Sequence, residues 1–293
     1  MQKSPSEGSG LDLIRYPRYK ELHRAIGDCQ RESSEASEPH CMSLEGVTGA
    51  GKSTLVRDYA AAFPRAHDDK GWISPVVYVV VPSPATIKTT GSAMLQELGD
   101  LTPFRGTTGS INNRIINLMM GRVQLLILDE FHHLIDAKTQ HVLVKVSEWL
   151  KYVIKEAGTS FLVVGIEGAV EKVLDSNPQL SRLFAVRETL RPFRWDDEGQ
   201  IEFSRFVQKV EVVTGVPLPA GTSRGELMRR IFYATDGVIA HVMNLMRDAA
   251  TRARSKGMRE LDLAVLFLAF EHALARYLKE KANPFGPCIE LPT

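Results

Sequence analysis

Hydrophobic residues along the chain follow two alternating patterns: short unbroken apolar runs, and longer segments in which apolar residues recur at helical spacing. An unbroken run predicts a strand buried on both faces of a parallel sheet, and a periodic segment predicts a helix that packs one face inward. Mostly apolar runs predict strands at Val76–Val81, Val123–Leu128 and Ser160–Gly165, and two more mixed segments are also predicted as strands, at Cys41–Glu45 and Phe184–Leu190. Because helical segments lie between them, the pattern predicts an α/β core with a five-stranded parallel sheet.

Segments with helical periodicity lie between the predicted strands, and further helical segments follow the last strand. Helices are predicted at Tyr16–Gln30, Ser53–Phe63, Ile87–Leu98, Ser110–Met120 and Val142–Glu156, with a short one from Glu167. After Pro192 no further strand is predicted, and four helices follow at 196–213, 223–235, 238–255 and 260–279. The pattern therefore predicts an N-terminal extension with one helix (1–40), the α/β core (41–193), a small all-helical domain (194–281) and a C-terminal tail (282–293).

Composition restricts the possible classes of protein. The 293 residues carry a net charge of +1, so any surface that binds nucleic acid must be local. The three cysteines form no C-x-x-C pair, which argues against a disulfide framework or a zinc site and fits a reducing compartment. No apolar run approaches the roughly 18 residues of a membrane span, and the N-terminus lacks a signal-peptide core. We therefore expect a soluble cytoplasmic protein with no membrane partner.

The clearest chemical motif is Gly46-Val-Thr-Gly-Ala-Gly-Lys-Ser53, which matches G-x-x-x-x-G-K-S between a predicted strand and a predicted helix. A glycine-rich loop lets backbone N–H groups point at phosphates. Lys52 is expected to reach the β- and γ-phosphates, and the Ser53 hydroxyl to bind Mg²⁺. The motif predicts a site for ATP and Mg²⁺ with nucleotide contacts from Gly46, Thr48, Gly49, Ala50, Gly51, Lys52, Ser53 and Thr54.

A second half of this site is predicted where the run Val123–Leu128 ends in Asp129 and Glu130. Ligands bind at the carboxyl ends of strands in open α/β sheets. Asp129 is expected to hold Mg²⁺ through water, and Glu130 to orient or deprotonate the attacking water. The two motifs together predict ATP hydrolysis, with Lys52 and Glu130 as catalytic residues.

His132 and His133 follow these carboxylates directly. Adjacent side chains on an α-helix project about 100° apart, so two neighbouring histidines do not easily share one metal ion. We therefore favour a structural or partner-signalling role for the pair over metal ligation.

With these motifs the chain resembles an AAA+ ATPase, and within that class the TniB/TnsC family of transposition regulators. The resemblance covers roughly Tyr16 to Leu278. It rests on Tyr16-Pro17-Arg18, the Gly46–Thr54 loop, Leu126–Leu134 with its Asp-Glu-Phe-His-His run, Phe161–Gly165 and Gln179–Phe184.

The resemblance implies a P-loop AAA+ core followed by an all-helical lid, and ATP-dependent assembly of rings or helical filaments on double-stranded DNA, largely independent of sequence. It also implies recruitment of a transposase and of a target-selection protein of the TniQ type, in the bacterial cytoplasm at the nucleoid. Tyr16 and Pro17 are then expected to contact the nucleotide. Arg182 falls where the family places an arginine finger that reaches the neighbouring subunit's γ-phosphate, with Arg187 as the weaker candidate.

Two positions depart from the family pattern. Gly165 stands at the end of the fourth strand, where a polar sensor residue is common. In the lid, Gly237–His241 lacks the arginine that many relatives use to contact the nucleotide. Hydrolysis is therefore expected to be slow and stimulated by DNA or a partner, with nucleotide acting mainly as an assembly switch.

The expected DNA contacts lie between the second and third predicted strands, a region that faces the central channel in the family. Hydroxyl and basic side chains near helix N-termini suit phosphate contacts without base readout. The candidates are Lys88, Thr90, Arg105, Thr107 and Arg114. Two other functions remain open from the sequence: an initiator or clamp-loader type AAA+ protein of replication, and a nucleotide-gated switch that does not bind DNA.

Overall fold

The computed structural model describes residues 13–35, 38–69, 71–135 and 140–286. Contacts divide the chain into two compact units. The sheet unit contains residues 17–190, and the helical unit contains the described residues 13–16 and 191–286. Residues 1–12 of the predicted N-terminal extension and 287–293 of the predicted tail lie outside the described residues.

The sheet unit is built on a five-stranded parallel sheet, which confirms the predicted α/β fold class. Its order is β4-β5-β6-β1-β7. Strands β5 and β6 are buried at every position, as their unbroken apolar runs predict. The strands of the described residues are β1 (Met42–Glu45), β2 (Ala66–Asp68), β3 (Gly71–Ile73), β4 (Val76–Val80), β5 (Leu125–Asp129), β6 (Ser160–Gly165) and β7 (Val186–Thr189).

Helices of the sheet unit pack their apolar faces against this sheet. Side chains of β4, β5 and β6 form one core with α3, α4 and α5, around residues such as Leu126, Val163 and Leu150. Threonine side chains cap α3 and α4, because Thr86 and Thr107 accept bonds from backbone N–H groups of the first turn. These helices are α1 (Pro17–Glu35), α2 (Lys52–Ala61), α3 (Ile87–Leu98), α4 (Thr108–Met119), α5 (Gln140–Ala157), α6 (Ala169–Asp175) and α7 (Pro178–Leu183).

Four short elements have no counterpart in the sequence-based prediction. Strands β2 and β3 form an antiparallel hairpin, residues Phe131–Ile135 form a 3₁₀ helix, and α7 follows α6 directly. Each is too short to show a period of its own, since β2 and β3 have three residues each and α7 has six.

The helical unit contains four helices: α8 (Asp197–Thr214), α9 (Thr222–Thr235), α10 (Ile239–Ser255) and α11 (Leu263–Ala273). The prediction of a last helix over 260–279 is wrong at both ends. Asp262 caps α11 by accepting the Val265 N–H at 2.8 Å, and the chain turns after Ala273. The Asn283 amide then donates to the Phe267 carbonyl at 3.0 Å, so the segment after the turn runs back beside α11. Among the described helices none has the length and apolar character needed to cross a bilayer.

Candidate nucleotide-binding site

The glycine-rich loop begins where β1 ends, and its backbone leaves no room for a side chain at Gly46. A Cβ at this position would lie 2.3 Å from the Leu190 carbonyl oxygen. Gly51, the N-cap of α2, has a left-handed φ of 101°, which a glycine adopts without strain. The loop therefore leads directly into α2, and the first N–H groups of that helix have no acceptor within the helix. This is the arrangement that binds phosphate.

The Lys52 side chain folds over the loop. Its Nζ donates to the carbonyl oxygens of Gly46 at 2.7 Å and Val47 at 3.0 Å. Burial lowers the pKa of Lys52, while the carboxylates of Glu130, Asp129, Glu45 and Glu167 act in the opposite direction. Lys52 is thus a half-buried cation at the loop, and the nearby carboxylates stabilise its charged form.

Asp129 ends β5 and is almost completely buried, with 1% of its surface exposed. Its Oδ2 accepts a hydrogen bond from the Tyr78 hydroxyl at 2.8 Å, and its Oδ1 accepts the Glu130 backbone N–H at 2.9 Å. Arg57 Nε in turn donates to the Tyr78 oxygen at 2.9 Å. A buried carboxylate held by fixed donors suits metal binding, because its ligating orientation is set in advance.

Tyr78 is a site residue that sequence reasoning missed. Burial raises its pKa to about 12, and the phenol therefore keeps its proton and acts as a donor to Asp129. The only signal in the sequence is a polar-tipped residue within the otherwise apolar run Val76–Val81. Its partner follows from the parallel pairing of β4 with β5, which no local pattern indicates.

Glu130 has a left-handed backbone, with φ of 58°. For a residue with a Cβ this conformation costs on the order of 1–3 kcal/mol, and such strain is concentrated at functional sites. Its carbonyl accepts the His133 N–H at 3.1 Å, which starts the 3₁₀ helix, and its side chain stays 43% exposed. The strained turn thus presents the Glu130 carboxylate to solvent beside buried Asp129.

Glu45, the last residue of β1, is a second residue that sequence reasoning missed. Its buried carboxylate accepts backbone N–H groups from Gly168 at 3.0 Å, Val170 at 2.6 Å and Glu171 at 3.1 Å, at the start of α6. A carboxylate there also interacts favourably with the helix dipole. The residue immediately before the phosphate loop is thereby fixed to the segment after β6.

That attachment brings α6 close to Gly165. A Cβ on Gly165 would lie 2.7 Å from a methyl carbon of Val170, so the packing of α6 accounts for a glycine at this position.

The remaining predicted nucleotide contacts fall in both units. Ser53 and Thr54 lie in the first turn of α2. Pro17 begins α1 of the sheet unit. Tyr16 belongs to the helical unit, where its ring packs on Phe193 and Phe206 at centroid distances of 5.4 and 5.7 Å. The structure therefore gives Tyr16 a packing role within its own unit, and its contact with nucleotide stays a prediction.

The two candidate arginine fingers differ in exposure. Arg182 is 68% exposed and its guanidinium pairs with the Glu38 carboxylate at 3.1 Å. Arg187 is 32% exposed and donates to Asp175 at 3.0 Å and to the Ser181 hydroxyl at 2.6 Å. An exposed ion pair contributes only about 0–1 kcal/mol, so Arg182 can exchange its partner at little cost. Arg187 instead ties the end of α6 to α7.

The predicted DNA contacts separate into three groups. Lys88 and Arg105 are exposed, and Thr107 is exposed while its hydroxyl caps α4. Thr90 is completely buried, which corrects its prediction as a DNA contact: α3 turns it toward the core together with Met94 and Leu95.

Arg114 is mostly engaged inside the sheet unit. It donates to Asp100 Oδ1 at 2.7 Å, to the Thr102 carbonyl at 3.1 Å and to the Arg105 carbonyl at 2.6 Å. These bonds hold the loop before α4, on which Leu101 and Phe104 are exposed. Arg114 therefore supports the loop that displays Arg105.

Comparison with known protein families identifies the group to which these features belong. The model of the bacterial TniB protein family matches residues 10–195, which is more than half of the 293-residue chain. This chain belongs to the bacterial TniB family. The matched segment contains the whole sheet unit, including the loop at Gly46 and the carboxylates at the end of β5. No curated protein matches the chain in sequence.

Solved structures show the same fold at low sequence identity. The Cdc6p of Pyrobaculum aerophilum superposes with a TM-score of 0.64 at 14% identity, over 92% of this chain and 70% of that one. The Aeropyrum pernix ORC1 protein, solved in complex with DNA, gives 0.60 at 16% identity, over 90% and 67%. Domain III of the Thermotoga maritima replication initiation protein DnaA gives 0.55 at 13%, over 91% and 98%. The TniB-family chain therefore has the P-loop AAA+ fold.

Removing the donor to Asp129 tests the Tyr78 contact. Tyr78→Phe is expected to lower the free energy of unfolding by about 1–2 kcal/mol, because a buried carboxylate loses a hydrogen bond. Urea unfolding of the nucleotide-free chain measures the change. Tyr152→Phe, at an exposed position of α5, is the matched control and is expected to leave stability unchanged. Equal effects of both variants would contradict the assigned bond.

Glu45→Gln tests the attachment of β1 to α6. Both carboxylate oxygens accept N–H groups, so an amide would direct its own NH₂ toward a backbone donor and lower unfolding stability by about 1–3 kcal/mol. Affinity for a fluorescent ATP analogue is expected to fall as well, because the loop starts at the next residue. Glu156→Gln, on the exposed face of α5, is the control. A Glu45→Gln variant with unchanged stability and nucleotide affinity would remove the role given to this contact.

Proposed function

We propose that this TniB-family chain is a Mg²⁺-dependent ATPase whose ATP-bound form assembles on duplex DNA and regulates transposition. The observation that supports it most strongly is the placement of Lys52, Asp129 and Glu130 at one edge of the sheet. Lys52 crosses the loop that follows β1. Asp129 ends β5 and Glu130 follows it, and both carboxylates act electrostatically on Lys52. A cation, a phosphate-binding loop and two carboxylates are the groups that phosphoryl transfer to water requires.

The nucleotide is proposed to bind with its phosphates on the N–H groups of the loop and of the first turn of α2. Lys52 would then exchange the loop carbonyls for the β- and γ-phosphate oxygens. The Ser53 hydroxyl and the Asp129 carboxylate are hard oxygen donors of the kind that Mg²⁺ prefers, and Tyr78 already orients the carboxylate. Mg²⁺, when bound, neutralises charge on the phosphates.

Hydrolysis is proposed to use Glu130 as the general base. The oxygen of a water molecule attacks the γ-phosphorus, and Glu130 accepts a proton from that water. The bond from the γ-phosphorus to the bridging oxygen breaks, which yields ADP and inorganic phosphate. The exposed carboxylate on a strained turn supports this role, because it can reach water while Asp129 beside it is buried.

Arg182 is proposed to complete the site of a neighbouring subunit. A guanidinium supplied in trans stabilises the charge that develops on the transferring phosphoryl group. Arg182 is favoured over Arg187 because it is more exposed and pairs with the exposed Glu38, whereas Arg187 is bonded to both Asp175 and Ser181. ATP bound between subunits would then stabilise an oligomer in the form of a ring or filament.

Slow hydrolysis follows from two features. Gly165 supplies no polar side chain at the end of β6, and the start of α10 carries His241 in place of an arginine. His241 Nδ1 lies 3.3 Å from the Thr235 carbonyl oxygen, within the helical unit. We propose that nucleotide serves mainly as an assembly switch, and that DNA or a protein partner accelerates the hydrolysis that dissolves the assembly.

DNA is proposed to bind the surface that carries Lys88, Arg105 and Thr107. These exposed residues lie at the N-termini of α3 and α4, where helix dipoles also favour phosphate. A ring or filament repeats this weak surface in every subunit, so a net charge of +1 is compatible with tight binding. Contacts to phosphates alone imply binding that is largely independent of sequence.

Family membership supports transposition as the biological setting. We propose that the assembly recruits a transposase and a target-selection protein of the TniQ type, in the bacterial cytoplasm at the nucleoid. A replication-initiator function is the second candidate, because proteins solved with this fold include ORC1, Cdc6p and DnaA domain III. Co-purification with a transposase would favour the first, and association with a replicative helicase the second.

The proposed assembly is tested by electron microscopy of the purified chain with duplex DNA. Rings or filaments are expected with ATP and absent with ADP, because only ATP offers a γ-phosphate to a neighbouring subunit. Lys52→Ala is expected to abolish them, whereas Lys20→Ala, an exposed lysine of α1, leaves them unchanged. If the chain forms no assembly on DNA with either ATP or ADP, the result would favour a nucleotide-gated switch that does not act on DNA.

Mixing two inactive variants tests the trans role of Arg182. Arg182→Ala is expected to lower DNA-stimulated ATP hydrolysis by about 10³-fold, the lower range for an arginine finger. Lys52→Ala is inactive for a different reason, so an equimolar mixture is expected to recover activity at interfaces that combine intact Lys52 with intact Arg182. Arg187→Ala is the comparison and is expected to retain hydrolysis. The opposite ranking of the two arginine variants would assign the finger to Arg187.

A further inference from the structure

Three potential metal ligands lie together directly after β5. One donor atom each from Glu130, His132 and His133 falls within 4.8 Å of the other two. His132 Nδ1 is 3.5 Å from Glu130 Oε2, and the two imidazole rings have centroids 4.3 Å apart at an interplanar angle of 42°. Within the described residues this is the one such group of histidine, cysteine and acidic side chains.

The local backbone places both histidines beside Glu130. Glu130 reverses the chain in its left-handed conformation, and residues Phe131–Ile135 form a 3₁₀ helix where an α-helix was assumed. Phe131, Leu134 and Ile135 are buried in the core of the sheet unit. The core therefore takes the apolar side chains of this short helix and leaves both imidazoles partly exposed beside Glu130. Adjacent side chains project about 120° apart on a 3₁₀ helix, so the two imidazoles come together through their side-chain conformations, with ring centroids 4.3 Å apart, and not through the helix spacing.

We propose that Glu130, His132 and His133 form a binding site for a divalent transition-metal ion, with Zn²⁺ as the best match. Two imidazoles and one carboxylate are a common zinc donor set with an open fourth position, whereas Mg²⁺ prefers oxygen ligands. Zinc bonds of about 2.0–2.2 Å place tetrahedral ligands about 3.4 Å apart. The separation of His132 and Glu130 already has this value, and the exposed Glu130 side chain can rotate toward His133.

This site is separate from the proposed Mg²⁺ ligands Ser53 and Asp129 but shares the proposed general base. A metal ion bound to the Glu130 carboxylate occupies the oxygen that would otherwise accept a proton from water. Lys52, the loop and Asp129 remain free to bind nucleotide. Zinc is therefore expected to stop hydrolysis while leaving ATP bound, which would prolong the assembled state. This consequence rests on the proposed function, whereas binding of the metal does not.

Metal binding is tested on the full chain without nucleotide. Competition with a chromophoric zinc chelator is expected to show one site per chain. Binding is expected to weaken by about 100-fold in His132→Ala, His133→Ala and Glu130→Gln, since loss of even an outer-shell partner costs 10–100-fold. His141→Ala, an exposed histidine of α5, is the matched control and should bind as the unaltered chain does. Unchanged affinity in the His132 and His133 variants would overturn the proposal.

Cobalt provides a second measurement that needs no variant. Co²⁺ bound by nitrogen and oxygen is expected to give visible d–d bands without a thiolate charge-transfer band. A strong thiolate band in the unaltered chain would assign the metal to cysteine and reject this site.

ATP hydrolysis with and without Zn²⁺ then tests the consequence. The unaltered chain is expected to lose activity on adding zinc and to regain it with a chelator, and His133→Ala is expected to be less sensitive. A chain that binds one zinc through these residues but never hydrolyses ATP would contradict the proposed function and leave the metal site standing. Hydrolysis that continues with zinc bound at this site would contradict the inhibitory consequence.

Discussion

The hydrogen bonds that the buried Glu45 carboxylate accepts are the interactions on which the candidate nucleotide-binding site depends. The carboxylate accepts three backbone N–H groups from the start of α6, and the Glu45 carbonyl accepts the Leu190 N–H at 2.8 Å. The next residue, Gly46, lies so close to Leu190 that no side chain fits. The end of β1 is therefore held by the segments that follow both neighbouring strands, β6 and β7, and the first residue of the loop is fixed in position. A loop that cradles phosphates needs such a fixed origin, because its binding groups are backbone atoms.

Negative charge is in excess around Lys52 at this edge of the sheet. Several carboxylates act on one half-buried ammonium group, and Tyr78 adds a neutral donor that its raised pKa keeps protonated. A nucleotide brings further negative charge, so a divalent cation is needed to restore the balance. The same excess of carboxylate and imidazole explains how a transition metal could compete for Glu130. The segment Glu130–His133 thus contains both the proposed general base for hydrolysis and the proposed metal site that inhibits it.

The sequence predicts the parts of this molecule whose signals are local. Apolar runs identify β4, β5 and β6, and the spacing of Gly46 to Ser53 identifies the loop, because each pattern reflects the environment of its own segment. Tyr78 and Glu45 act through partners on β5 and α6, and such pairings arise only when the sheet forms. Thr90 was predicted as a DNA contact from the chemistry of its hydroxyl, although its spacing of four residues from Met94 places it on the buried face of α3. The 3₁₀ helix depends on the backbone of one residue, Glu130, which no periodicity reveals.

The left-handed backbone of Glu130 also sets thermal stability against the proposed activity. Glycine adopts the left-handed conformation without strain, so replacing Glu130 by glycine would relieve the turn while deleting the carboxylate. Selection for heat resistance alone would therefore favour chains that have lost the proposed base. A library screened for thermostability should therefore keep Glu130 unchanged. If it does not, the screen is expected to select a stabilised but inactive variant.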